Sequence, residues 1–433
     1  MVHLSHLDMH LERLRQKDLL REPDDQMERD QLERRFGPNF VDAASNDYLG
    51  LARAEKYACA QPTDPHVSRE TLAPASSRPE DELLVPADVS RETLGGDQLP
   101  PAFGAGASRL IFGTHSQHRR VEQQAAQWLG YPEALLFSSG YAANLGALGA
   151  LLSPQDAVFS DELNHASIID GIRLSKAKAR IFSHLDLEQL AAGLRGASQA
   201  PARWVVVEAY YGMNGDGPDL VRLADLCEET DSHLYIDEAH SLGTFGPRGR
   251  GLCAASGIRP DVVMAGFGKA VGSQGGCILG SGNVRRWLWN RARSFVFSTA
   301  PSPAACASLG QQLGTCREVD AARAQLGENA EYLRALLEPS GFLLAGSWGP
   351  IVALVLGEEA RALDLARVLR EQGILAQAVR PPSVAPGQSR VRLVVHANHT
   401  RGQLERLAQA VLQGCPSAGA QRSAIPGPEE APK

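Results

Sequence analysis

Four short apolar runs, Ala134 to Phe137, Trp204 to Val207, Leu234 to Ile236 and Val262 to Ala265, punctuate the middle of this chain, with stretches of helix length between them. A run that is apolar throughout, rather than alternating, has both of its faces in a dry interior. These runs therefore read as strands of a mostly parallel sheet covered by helices on both sides. Parallel neighbours need long crossovers, and the intervening helical stretches supply them. Near Pro303 the texture changes: helical segments at Ala304 to Leu337 and Glu359 to Gln372 accompany strands near Ile351 to Leu356 and Val391 to Val395. The expectation is an α/β fold with a large, mostly parallel α/β/α sheet domain over 104–302 and a smaller α+β domain over 303–413.

The flanks differ. Leu4, Leu7, Leu11 and Leu14 share one helical face, and Val41 to Leu51 reads as a strand running into a turn, so 1–55 is an N-terminal helix and arm joining the small domain. From Lys56 to Ala102 there are seven prolines, one aromatic residue and no sustained period, which predicts a disordered Pro-rich insertion over 56–103. The hexapeptide Val-Ser-Arg-Glu-Thr-Leu occurs twice in it, at Val67 and at Val89, too few copies for a stacked repeat. A duplicated linker and a binding motif both remain open. The tail over 414–433, rich in Pro, Ala, Gly and Ser, is also expected to be disordered.

Charge and cysteine usage exclude several function classes. With 43 Lys and Arg against 50 Asp and Glu, no chain-wide basic field exists for nucleic acid or an anionic membrane. No apolar run reaches the roughly 18 residues of a membrane span, and the N-terminus lacks the apolar core of a secretory signal. The seven cysteines are scattered and never form CxxC, so neither a disulfide framework nor a structural metal is expected. The expected compartment is the cytoplasm.

Four segments carry chemistry. Lys269 stands in Gly266-Phe267-Gly268-Lys269-Ala270-Val271-Gly272, just after an apolar run. A P-loop would need Gly where Val263 stands and Ser or Thr where Ala270 stands, and a dinucleotide fingerprint would need Gly where Arg109 stands. Small neighbours let a flat ligand approach the lysine; the plain alternative is a solvated loop residue. Asp237 in Tyr235-Ile236-Asp237-Glu238-Ala239-His240 leaves the C-terminal end of a strand, the edge where open α/β sheets bind ligands. There it can hold a heterocyclic nitrogen protonated, with His240 reaching a neighbouring substituent; a helix-capping Asp beside a surface His is the alternative. The turn through Ser138, Ser139, Gly140 and Tyr141 leads into a helix, whose first N–H groups and dipole attract an anion. His165, in Asn164-His165-Ala166-Ser167, offers a flat imidazole, or is an ordinary histidine. Together the four describe a pyridoxal 5'-phosphate site: a turn for the phosphate, an imidazole for the ring face, a carboxylate for the ring nitrogen and an amine for the aldehyde.

The order and wording of these motifs resemble the α-oxoamine synthases, a family of fold-type I pyridoxal phosphate enzymes, over about 1–55 and 104–413. Ser45-Asn46-Asp47-Tyr48-Leu49-Gly50-Leu51, Gly104-Ala105-Gly106-Ala107-Ser108-Arg109 and Asp237-Glu238-Ala239-His240 look like family signatures. Arg380-Pro381-Pro382-Ser383-Val384, followed by Arg390-Val391-Arg392-Leu393, is similar to the biotin-pathway branch. The resemblance implies a fold-type I transferase, homodimeric, with its sites at the interface. It implies Lys269 for covalent attachment of the cofactor, Asp237 for the pyridine nitrogen, His165 for the ring face and His240 for the phenolic oxygen. Ser139, Gly140, Tyr141 and Glu208 belong to the implied cofactor set, with Ser298 and Thr299 of the partner subunit. Asn46 and Arg392 are implied for an amino-acid carboxylate, and Arg21 and Arg380 for the distal carboxylate of an acyl chain.

Two positions depart from the family pattern. Gly212 stands where Ser is usual and Gly266 where Thr or Ser is usual, so two hydroxyl donors are missing. The activity the resemblance implies is a decarboxylating condensation of L-alanine with a pimeloyl thioester, carried on coenzyme A or a carrier protein. Two alternatives stay open: a sister enzyme using glycine or serine with another acyl-CoA, and a catalytically silent structural homologue.

Overall fold

The structure is a computed structural model and describes residues 12–17, 19, 29–53, 102–338, 344 and 346–415. Arg21, most of the insertion, most of the leucine-striped N-terminal segment and the tail from 416 lie outside the described residues.

The chain enters through strand β1 (Val41–Asp42) and then builds a seven-stranded sheet from β2 (Glu133–Phe137), β3 (Ala157–Asp161), β4 (Lys178–Phe182), β5 (Arg203–Glu208), β6 (His233–Asp237), β7 (Val262–Gly266) and β8 (Gly276–Gly280). Their order across the sheet is β2-β8-β7-β6-β5-β3-β4, and only β8 runs antiparallel to its neighbours. The four apolar runs of the sequence are β2, β5, β6 and β7; their apolar residues are buried, as strands covered on both faces require. β4 lies at the sheet edge with only Phe182 buried, and its Lys178-Ala179-Arg180 opening carries no core signal. β8 has just three apolar residues between two glycines.

The C-terminal part holds β9 (Ile351–Gly357), β10 (Ile374–Leu375), β11 (Gln377–Val379) and β12 (Ser389–Val394). Of these, β11-β12-β9 form an antiparallel sheet, and β10 pairs in parallel with β1. The segment expected as one helix over Ala304 to Leu337 is two, Pro303–Glu318 and Asp320–Leu337. The break falls at Val319, with φ −99 and ψ 45. Arg323 reaches back across it, its Nη1 donating to Cys316 O at 2.6 Å and its Nη2 to Arg317 O at 3.2 Å. Those are carbonyls a helix end leaves without partners.

Parallel pairing of β3, β5, β6 and β7 sets their C-terminal ends along one edge, and β2 points the same way. The segments that carry Ser139, His165, Glu208, Asp237, His240 and Lys269 leave from there. The N-terminal arm closes this edge from the side: Val394 N donates to Ala43 O at 2.9 Å and Ala397 N to Tyr48 O at 2.9 Å. The arm also meets the lysine loop. At Gly272, φ is +69 and a Cβ would fall 2.5 Å from Ala52 N, so both backbone conformation and space demand glycine. Gly272→Ala is expected to lower stability by about 2 kcal/mol or more, read as a fall in Tm. An unchanged Tm would contradict this docking.

Candidate active site

Asp237 ends β6 and is buried. Its Oδ2 accepts a hydrogen bond from Asn144 Nδ2 at 2.7 Å and its Oδ1 accepts from Ala239 N at 2.8 Å. Asn144 is itself fixed: its Oδ1 accepts from Tyr235 OH at 2.6 Å, and its Nδ2 also donates to Ser167 Oγ at 2.9 Å. The carboxylate is thus held in one orientation by two donors. Neither Asn144 nor Ser167 was singled out from sequence. The signal for Asn144 was a lone amide in an otherwise small and apolar helix, Gly140–Leu151.

Lys269 follows β7 and is half-buried. Among the described residues its Nζ has no hydrogen-bond partner. Burial lowers its pKa to about 8, against the opposing pull of Asp237 and Glu208. A minority of the amine is therefore neutral at pH 7, rising to half near pH 8. Glu208, the last residue of β5, accepts from His165 N at 2.7 Å, and burial together with Asp237 raises its pKa to about 8. This bond holds the start of helix Ala166–Ser175, where the exposed His165 ring has its Nδ1 2.8 Å from Ser167 Oγ.

His240 is buried, its Nδ1 2.9 Å from Tyr48 OH, and burial keeps its pKa well below the ordinary histidine value. It is a neutral ring tied to the arm. Tyr48 sits inside a quoted motif, yet nothing in the sequence assigned it this contact across 192 residues. This chain leaves little room for a side chain at Gly212 or Gly266. A Cβ at Gly212 would fall 2.1 Å from His240 Nε2, and one at Gly266 would fall 2.9 Å from Ala239 Cβ.

Ser139 caps helix Gly140–Leu151 by accepting from Ala142 N at 3.1 Å. The N–H groups of Gly140 and Tyr141 belong to the first turn, where a helix offers donors to an anion. Gly276 of β8 packs against that turn, for a Cβ there would lie 2.8 Å from Gly140 N. Ser298 and Thr299 line a small pocket with Ser138 and Arg109 of the same chain, and Thr299 bridges to Ser108.

Arg392, in β12, is fully buried, and burial lowers its pKa. Its Nε donates to Gly212 O and its Nη2 to Asn46 Oδ1 at 2.5 Å. Among the described residues it forms no ion pair. A buried guanidinium without a counter-charge is costly, and a carboxylate arriving at this edge would relieve that cost. Arg380 is buried but apart from this group: Val379 pairs with Arg390 and Gln377 with Arg392, so Arg380 follows the far end of that ladder. Arg21 lies outside the described residues.

A family model for aminotransferase class I and II matches residues 82–411. The chain belongs to that family. It is 40% identical over 392 residues to the 8-amino-7-oxononanoate synthase of Anaeromyxobacter dehalogenans, which covers 89% of this chain and 90% of that protein. Among solved structures, the 8-amino-7-oxononanoate synthase of Francisella tularensis matches with a TM-score of 0.69 and 26% identity, over 87% of this chain and 98% of that one. A serine palmitoyltransferase from S. paucimobilis, solved with bound pyridoxal phosphate as a myriocin adduct, matches with a TM-score of 0.75 and 26% identity over 88% of each chain. The architecture is that of a fold-type I transferase, and the cofactor is pyridoxal phosphate. The residues present fit it. A lysine whose amine has no hydrogen-bond partner among the described residues, a carboxylate locked at a strand end and a helix N-terminus share one edge.

Because the amine must be neutral to attack an aldehyde, uptake of pyridoxal phosphate by the apoprotein is expected to rise with pH around a midpoint near 8. Stopped-flow absorbance checks this. A midpoint near the ordinary lysine value of 10.5 would contradict it.

Proposed function

We propose that the protein condenses L-alanine with a pimeloyl thioester, giving 8-amino-7-oxononanoate, carbon dioxide and the free thiol carrier, as a step towards biotin. The observation that carries this is Arg392: a buried guanidinium without a counter-charge among the described residues, on the edge that holds Lys269, in a chain 40% identical to a protein of that name.

In this reading Lys269 holds the cofactor covalently, Asp237 its ring nitrogen, His165 its ring face and His240 its phenolic oxygen. Ser139, Gly140 and Tyr141 hold the phosphate, and Glu208 acts through His165. Pyridoxal phosphate, when bound, supplies a sink for the electrons released at the amino-acid α-carbon. Arg392 and Asn46 grip the carboxylate of L-alanine and present its α-hydrogen to the Lys269 side. Once the amino group of L-alanine has displaced Lys269 from the cofactor, the freed Nζ, poised near pH 8, would take that proton. A carbon–carbon bond then forms to the thioester carbonyl as the carbon–sulfur bond breaks. The old carboxylate leaves as carbon dioxide, and Lys269 returns a proton to the carbon it left. His240, kept neutral by burial, donates a hydrogen bond rather than a full charge. Arg380, with Arg21, is assigned to the distal carboxylate of the acyl chain.

The working form in this reading is a cytoplasmic homodimer, with the arm and 303–413 forming one unit and 104–302 the other. Phe112 is 90% exposed and Phe297 is 74% exposed, next to the segments carrying Arg109 and Ser298–Thr299. Such apolar surface beside a site calls for a covering partner. The serine palmitoyltransferase likeness supports a second reading, serine with a longer uncharged acyl donor.

The test is a panel of L-alanine, glycine and L-serine against pimeloyl-, acetyl- and palmitoyl-CoA, with thiol release as the readout. L-Alanine with the pimeloyl donor is expected to exceed every other pair by about tenfold or more in kcat/KM, and Arg380→Ala is expected to erode that preference for the carboxylate-ended donor. Faster turnover of L-serine with palmitoyl-CoA would replace this reading with the second.

A further inference from the structure

Behind the edge lies a polar cluster that none of these steps uses. His184, in the turn after β4, stands between two carboxylates, with Nδ1 2.9 Å from Asp161 Oδ1 and Nε2 3.1 Å from Asp216 Oδ2. Its side chain is only 14% exposed. A neutral imidazole carries one N–H and can donate to one of these oxygens; donating to both takes the imidazolium. The ring also stands edge-on to Tyr211, with centroids 4.6 Å apart at 89°.

Each carboxylate belongs to a different part of the site. Asp161 ends β3, and its Oδ1 accepts from Leu163 N at 2.8 Å in the loop leading to His165. Asp216 closes the turn after β5, where Tyr211 N donates to Asp216 O at 2.8 Å and Asn214 Nδ2 to Asp216 Oδ2 at 3.0 Å. Gly212, whose carbonyl accepts from Arg392, lies inside that turn. Tyr211 OH joins the two parts again, accepting from Glu208 N and donating to Asn164 Oδ1, both at 3.3 Å.

We propose that His184 is a positioning residue: as a doubly donating cation it ties the His165 loop to the Gly212 turn, and so sets where Arg392 meets the amino-acid carboxylate. The proposal rests on the reading of Arg392 as the carboxylate ligand. Burial works against the charge on His184, but hydrogen bonds and charges from Asp161 and Asp216 outweigh it and raise its pKa to about 9. The other groups facing the cluster are Tyr211, Glu162, whose Oε1 accepts from His184 N at 2.8 Å, and Arg390, which donates to Asn214 Oδ1. A pKa raised on folding gives stabilisation that is complete below the ordinary value of 6.5 and is lost as pH climbs through about 9. The tie is therefore closed at neutral pH and opens in alkali.

The test compares the holoprotein with its His184→Gln variant at each pH, so that titration of the substrate and of Lys269 is common to both. Binding of L-alanine is read from the visible absorbance of the cofactor, and ethylamine, which lacks a carboxylate, serves as the control ligand. At neutral pH the variant is expected to bind L-alanine about tenfold more weakly and ethylamine within about twofold of the parent. Above pH about 9 the gap should close, because the parent loses its own cation. Asp216→Asn, which removes one of the two negative charges that hold the His184 cation, should weaken L-alanine binding in the same direction and carries the comparison if His184→Gln fails to fold. Unchanged L-alanine binding, an equal loss for ethylamine, or a gap that persists into alkali would each overturn the proposal. Arg392→Gln separates the two readings: if it leaves L-alanine binding intact, the carboxylate assignment fails, whereas an effect there with none at His184 sinks only the positioning role.

Discussion

Parallel pairing of β3, β5, β6 and β7 is the constraint on which the rest depends. It points the ends of these strands at one edge, so that segments distant in sequence deliver His165, Glu208, Asp237 and Lys269 to the same place. The strands themselves are held by burial on both faces, which leaves the chemistry to the loops. The small residues at Gly212, Gly266, Gly272 and Gly276 then allow those loops to approach each other more closely than any side chain would permit.

Electrostatics at the edge follows from the same burial. Desolvation lowers the Lys269 pKa and raises that of Glu208, bringing both to about 8, and it strips His240 of charge. Arg392 is the exception, a cation that stays charged without a facing carboxylate among the described residues. The arm contributes Asn46 and Tyr48 to this arrangement, and its docking on β10 and β12 couples the small sheet to the large one.

Much of this was legible in the sequence, and what was not has physical reasons. Strands buried on both faces announce themselves as unbroken apolar runs, so β2, β5, β6 and β7 were read nearly to their ends. β4 lies at an edge and β8 is only five residues between glycines, so neither bears that mark. The two helices on either side of Val319 read as one, because the break is made by a single residue and satisfied by Arg323 from beyond it. Within the site, residues of distinctive chemistry were visible in their motifs. Those that act through them were not: Asn144, Ser167 and Tyr48 gain their roles only from contacts across the fold, and the Asp161–His184–Asp216 bridge joins three segments that no spacing rule connects.

The proposed chemistry turns on Lys269 as the residue that binds the cofactor. Reduction of the holoprotein with borohydride, followed by proteolysis and mass mapping, tests it most directly. One pyridoxyl-phosphate label is expected, on the peptide carrying Lys269, with loss of the visible absorption band. A label on any other lysine, or an unlabelled Lys269 peptide in a protein that has lost its colour, would contradict it.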